Sequence, residues 1–94
     1  LALIGPKIAE SYDEDGHAAF WAGNYADAIP NLAKAFQYDA TNGQALFDLG
    51  NSYYRMGEKQ KAAEIYRQVI ELFPNTEKAD KSAGFLAEIE GAEE

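Results

Sequence analysis

One histidine, three serines and no cysteine are all this 94-residue chain offers for covalent or metal chemistry. Without cysteine there is no thiolate nucleophile and no cysteine-bound zinc, and His17 alone cannot build a multi-histidine metal site. Ser11, Ser52 and Ser82 lie outside any G-x-S-x-G elbow. The glycines are dispersed rather than clustered, so no phosphate-cradling loop is present. Ser11–Gly16 reads S-Y-D-E-D-G and sets Asp13 and Asp15 at calcium-loop spacing. The bidentate acid of such a loop would fall at Ala22, and the segment has helical character, so a solvated acidic helix face is expected there. No catalytic constellation, metal or cofactor is expected. The remaining chemistry is aromatic. Tyr53, Tyr66, Phe36 and Phe73 fall on apolar stripes and read as packing, whereas Phe20, Trp21, Phe47, Tyr54 and Phe85 admit either packing or recognition.

These side chains must be positioned by helices. Residues 44–56 place Ala45, Leu46, Leu49, Tyr53 and Met56 at spacings of three and four, and residues 59–73 do the same with Ala62, Ile65, Tyr66, Val69, Ile70 and Phe73. Helices are also expected near 9–22 and 25–39. A fifth over 77–90 carries Ala79, Ala83, Leu86 and Ile89 on one face. Gly57 stands where a left-handed cap ends one helix, and Pro74–Asn75 closes the next. Pro30 removes a hydrogen bond to the Ala26 carbonyl, which predicts a bend or a late helix start. Nothing alternates with period two, so no sheet is expected.

The glycines impose a longer period. Gly16 and Gly23, Gly50 and Gly57, and Gly84 and Gly91 form three pairs of equal spacing, each pair 34 residues after the last. Ala28 with Ala62 and Ala45 with Ala79 share the offset, as do Phe20 with Tyr54 and Leu32 with Tyr66. A fixed period of this size denotes stacked repeats. Glycine inside a helix costs about 1 kcal/mol against alanine. Its recurrence at Gly16, Gly50 and Gly84 points to close approach of a paired helix, with Ala28 and Ala62 as small facing residues.

With these residues in place, the chain resembles tetratricopeptide repeats. The second unit carries Leu49-Gly50, Tyr53-Tyr54, Gly57, Ala62, Tyr66 and Pro74 at the family's spacing. The first carries Gly16, Gly23-Asn24-Tyr25, Ala28, Leu32 and Ala35, but has Asp15 for the usual apolar residue and Ala40 for the closing proline. The resemblance implies an all-α, right-handed α-solenoid of helix-turn-helix hairpins with about five helices. Residues 1–8 would be a linker or the end of a preceding repeat, 9–42 the first repeat, 43–76 the second, and 77–94 a capping helix or truncated third repeat.

In this family the first helices line a concave groove that holds partner peptides or helices. Carried over by position, that groove receives His17, Phe20 and Trp21, beside Glu10 and Asp13, from the first repeat. It receives Gln44, Phe47, Asn51, Tyr54 and Arg55 from the second, and Lys78, Lys81 and Phe85, beside Glu88, from the third. Aromatic and Arg anchors dominate interface energies, which suits a protein or peptide ligand. The alternative is that Phe47 and Phe85 pack between repeats while Trp21 covers an end. Some family members clamp a C-terminal carboxylate with Lys, Asn and Arg. The corresponding places here hold Asp13, His17, Asp48, Lys78 and Ser82; only Lys78 suits a carboxylate, so that clamp is absent.

Charge narrows the partners. The net charge is −8, which repels phosphate backbones and argues against nucleic acid. Residues 1–42 carry two basic and six acidic groups, residues 43–76 four of each, and residues 77–94 two and six. No apolar stretch approaches the ~20 residues of a membrane-spanning helix, so no membrane insertion is expected. The chain opens on Leu and reads as a fragment of a longer protein. A second functional reading is assembly by stacking between chains, a homo-oligomer joined through exposed repeat ends such as the apolar Leu1–Ile4. Phe73-Pro74-Asn75-Thr76 followed by Lys78-Ala79 is also similar to repeat junctions of bacterial cell-envelope proteins, including the TolA-binding family. The cysteine-free composition leaves the compartment open.

Overall fold

The computed structural model describes residues 4–92, with side chains from Lys7 onward. Five helices follow one another: α1 (Ile4–Trp21), α2 (Tyr25–Tyr38), α3 (Gly43–Arg55), α4 (Lys59–Leu72) and α5 (Glu77–Ala92). Among the described residues there is no strand. Successive helices pack on one another, and α3 also meets α1 and α5, giving a body of 48 × 28 × 17 Å.

Both intra-hairpin turns are built alike. Gly23 and Gly57 adopt φ of 79° and 81°, a left-handed conformation that glycine enters without Cβ strain. Around each, the same two bonds close the helix end. Gly23 N–H donates to the Phe20 carbonyl at 3.0 Å and Asn24 N–H to Ala19 at 2.8 Å; Gly57 donates to Tyr54 at 3.0 Å and Glu58 to Tyr53 at 2.9 Å. This Schellman pairing satisfies carbonyls that the helix leaves free. The turns between hairpins differ. The second ends at Phe73-Pro74, and Thr76 Oγ1 accepts from Ala79 N–H at 3.2 Å to start α5. The first lacks the proline. Asp39 takes over: its Oδ1 accepts from the Thr41 amide at 3.1 Å and the Thr41 hydroxyl at 2.5 Å. These two bonds also hold the Asp39 carboxyl below the usual carboxylate range. Asn42 then caps α3 by accepting from Ala45 N–H at 3.0 Å.

Two helix starts differ from expectation. α1 reaches back to Ile4, through much of the 1–8 segment; Pro6 sits in its first turn, where a missing N–H breaks no helical bond. α2 begins at Tyr25 and runs through Pro30, so its start is not late. Ala26 and Pro30 are both exposed, which lets water serve the freed carbonyl. Leu1–Leu3 and the Ile4 side chain, on which stacking between copies rested, lie outside the described residues.

The core is continuous from Ala28, Leu32 and Ala35 through α3 to Ala62, Tyr66, Val69 and Ile89. Residues Ala45 to Gly50 are all buried, because α3 has neighbours on nearly every side. Met56, expected on the apolar stripe, is exposed at the end of α3. Close approach explains two of the recurring glycines. A Cβ at Gly16 would stand 2.8 Å from Leu32 Cδ2, and one at Gly50 3.0 Å from Tyr66 Cε1. The crowding groups are thus Leu32 and Tyr66, not the smaller Ala28 and Ala62. At Gly84 the expectation fails: nothing lies within 4 Å, since no described helix pairs with that face of α5. The buried face of α5 is likewise rotated from the one expected. Ala79, Ser82 and Ile89 are buried with Phe85 and Leu86 partly so, while Ala83 is exposed.

Candidate partner-binding groove

The inner side of α3 and α5, with the end of α1, encloses an apolar groove of about 620 Å³. Seven of the eleven residues expected at a partner site line it: Phe20, Phe47, Asn51, Tyr54, Arg55, Lys81 and Phe85; Tyr66 joins them. Helical spacing accounts for the set from α3, where Phe47, Asn51, Tyr54 and Arg55 fall one or two turns apart on one side. Arg55 stands in the last turn of α3, where a cation also complements the helix dipole. Lys81 stands one turn beyond Glu77 and pairs with it at 2.9 Å, which holds the exposed Glu77 carboxyl below its ordinary range.

The floor is a stack of rings. Tyr66 and Phe85 lie face to face with centroids 5.3 Å apart and planes at 13°, while Tyr54 leans on Phe85 at 5.4 Å and Phe47 on Tyr66 at 6.3 Å. Phe47 is only 8% exposed, so packing between repeats and lining the groove are one role, not two. Phe85 and Tyr54 are half-buried and keep accessible edges. Lys59 Nζ sits 5.6 Å above the Tyr54 ring.

Tyr66 is the residue that helical periodicity misses. It lies on α4, the second helix of its hairpin, and its stripe position marks it as core. It is indeed fully buried, yet its ring crosses α3 at Gly50 and reaches the groove, where the hydroxyl donates to Asn51 Oδ1 at 2.7 Å. Burial pushes this phenol well above its usual range, and nearby Tyr54 adds to the shift. The pairing of a long aromatic residue with a glycine on the facing helix is the available signal. The equivalent pair in the first repeat is Gly16 and Leu32, whose side chain is too short to cross.

Four expected residues lie elsewhere. Gln44 and Lys78 line a separate recess of about 180 Å³ beside Phe47 and Lys81. Trp21 is 78% exposed at the end of α1, where it packs edge-on against Phe20 at 5.4 Å, and it does not line the groove. His17 is engaged in a polar chain. Its Nε2 lies 2.7 Å from Oδ2 of the buried Asp48, and its Nδ1 lies 2.9 Å from the Asp13 carbonyl and 3.2 Å from the Asp13 carboxylate. Gln44 donates to both Asp48 oxygens at 3.1 Å, and Asn42 to Asp13 at 2.9 Å. Three of the five positions that form a carboxylate clamp elsewhere therefore bind one another. A fourth, Ser82, is fully buried, its hydroxyl without a partner among the described residues. Asp13 and Asp15 lie within helix α1, not in a loop that wraps a cation. Among the described residues no group of three or more His, Asp or Glu is placed to hold a metal ion, and no helix is long and apolar enough to cross a membrane.

The hairpins, their shared 34-residue register and the groove on their first helices define a helical-repeat scaffold. The tetratricopeptide repeat family matches residues 19–83, and this chain belongs to it. Such repeats generally mediate protein–protein interaction. The chain is 32% identical over 85 residues to photosystem I assembly protein Ycf3 of a Synechococcus strain, covering 87% of this chain and 49% of that protein. Against the protein of the same name from Acaryochloris marina it is 31% identical over 88 residues, covering 90% and 53%. A shorter match, 42% over 55 residues, is to intraflagellar transport protein 70A of Danio rerio, covering 58% of this chain and 8% of that protein. The chain spans about half the length of the photosystem I assembly relatives it matches.

Proposed function

We propose that this chain is a non-enzymatic scaffold that holds a peptide or helix of a partner protein in the groove between α1, α3 and α5. The observation that carries the reading is the ring-floored groove itself. Phe85 and Tyr54 keep exposed edges beside Arg55, a combination suited to the few aromatic and Arg anchors that dominate interfaces. Two relatives bear names of assembly proteins, which is in keeping with a scaffold that retains a client segment while a larger complex forms.

Selection from a displayed random-peptide library tests this. Sequences enriched on the wild type should be lost on a Tyr54→Ala/Arg55→Ala variant whose far-ultraviolet circular dichroism and melting remain native. Phe47 and Tyr66 are unsuitable for that test, because both are buried and truncating either should cost several kcal/mol of stability, about 3–5 for a large core ring. Peptides retained equally by the variant would place binding on another face.

A further inference from the structure

Resting on the groove reading above, we infer that the segment held there is acidic, with an aromatic or branched aliphatic residue as its anchor. The apolar floor of Phe47, Tyr54 and Phe85, backed from beneath by the buried Tyr66, accepts the anchor. The polar groups around it specify its surroundings. Tyrosine hydroxyls aside, every polar side chain lining the groove offers donors: Asn51 through its amide NH2, since its oxygen is taken by Tyr66, and Arg55 and Lys81 through cations. A ligand that satisfies them must be rich in acceptors, as carboxylates and peptide carbonyls are.

The distribution of charge points the same way. The chain carries −8 in total, yet no carboxylate lines this groove. Glu77 stands nearby but is paired with Lys81, and Glu88 follows one turn after Phe85 on α5. The buried Asp48 on α3, held by His17 and Gln44, is a third acid close by. Against these three stand Arg55, Lys81, Lys78 of the adjoining recess, and Lys59 over the Tyr54 ring. The groove is therefore a locally cationic patch on an anionic surface, which favours an acidic segment and repels a basic one. Arg55 makes no ion pair among the described residues and is exposed, so its guanidinium is available for a bidentate carboxylate contact.

Fluorescence anisotropy with three labelled peptides tests the inference. All share a central Phe and Leu; their flanks are all Glu, all Ser or all Lys. The Glu-flanked peptide should bind about tenfold more tightly than the Ser-flanked one and the Lys-flanked one least, with the preference shrinking as salt rises. Arg55→Ala/Lys81→Ala should erase the Glu preference without changing the melting curve, and Tyr54→Ala should weaken all three peptides. Equal binding of the three, each lost in Tyr54→Ala, would leave the groove reading standing and overturn the acidic preference; tighter binding of the Lys-flanked peptide overturns it as well. Binding of none, at any salt, counts against the groove itself. A labelled oligothymidylate that binds where the Glu-flanked peptide does not would assign the cations to nucleic acid instead.

Discussion

The inner surface of this protein has two parts that solve the same packing problem differently. Toward α1, Asp13, His17, Asp48 and Gln44 turn their polar groups on one another and leave little for a ligand. Toward α5, Tyr54, Tyr66 and Phe85 stack into a floor that stays open, with the cations Arg55 and Lys81 beside it. Apart from Tyr66, which reaches in from α4, both parts stand on the first helices of the repeats, yet one locks adjacent repeats together and the other faces outward. The contrast shows that position in a repeat sets where a side chain points. Its neighbours decide whether it has any hydrogen-bonding capacity left.

The sharpest way to break the contrast is at the aromatic floor. Tyr66→Ala removes a fully buried ring and should cost about 3–5 kcal/mol, enough to unfold much of so small a domain; urea titration followed by circular dichroism measures it. A smaller loss is expected at the polar end. His17→Ala strips the buried Asp48 carboxylate of its 2.7 Å partner and should cost about 2–3 kcal/mol, while the folded variant keeps wild-type affinity for a groove peptide. A weakened groove at unchanged stability would show that the two parts are not separable.

Tyr66→Phe probes the floor more gently. It deletes the bond to Asn51 for about 1 kcal/mol at neutral pH. The same variant should change the alkaline limb of the stability curve. In the folded protein burial raises the Tyr66 phenol far above its usual range, whereas in the unfolded chain it ionises near pH ~10. The neutral ring therefore contributes stability below pH ~10 that is lost as pH rises further. The wild type should lose up to about 1.4 kcal/mol per pH unit more than Tyr66→Phe there. Parallel curves would mean that the phenol is not shielded. The smallest effect is expected at Gly84, where a methyl group meets nothing within 4 Å. Gly84→Ala should raise stability by about 0.5–1 kcal/mol, whereas Gly16→Ala, which drives a Cβ toward Leu32, should lower the melting temperature.

Most of the fold was legible because glycine and apolar residues recur on a common ruler. Gly23 and Gly57 mark turns whose hydrogen bonds are identical, and Leu46, Leu49, Val69 and Ile89 sit inside as their spacing requires. What escaped the ruler depends on tertiary neighbours. Ala83 is apolar and in phase but faces solvent, because α5 rotates to bury Ser82 instead. Gly84 keeps the period, although among the described residues no helix crowds it. At the site, the seven lining residues carried over by position do converge, whereas His17 and Trp21 do not. Their fates turn on an Asp48 contact across two repeats and on the exposed end of α1, neither of which a local pattern encodes. Tyr66 was hidden for the opposite reason: burial and groove lining coincide in one ring.

That coincidence constrains how this surface can diversify. Because the Tyr66 ring passes over Gly50 and belongs to the hydrophobic core as much as to the groove, neither residue can be exchanged to suit a new ligand without disturbing the hairpin. Variation among descendants of this scaffold is then channelled to the rim, to Arg55, Lys81 and the accessible edge of Tyr54. A ligand seated on Phe85 presses on the Tyr66 ring stacked behind it and so braces the α3–α4 hairpin, and occupancy should raise the temperature at which the whole array melts.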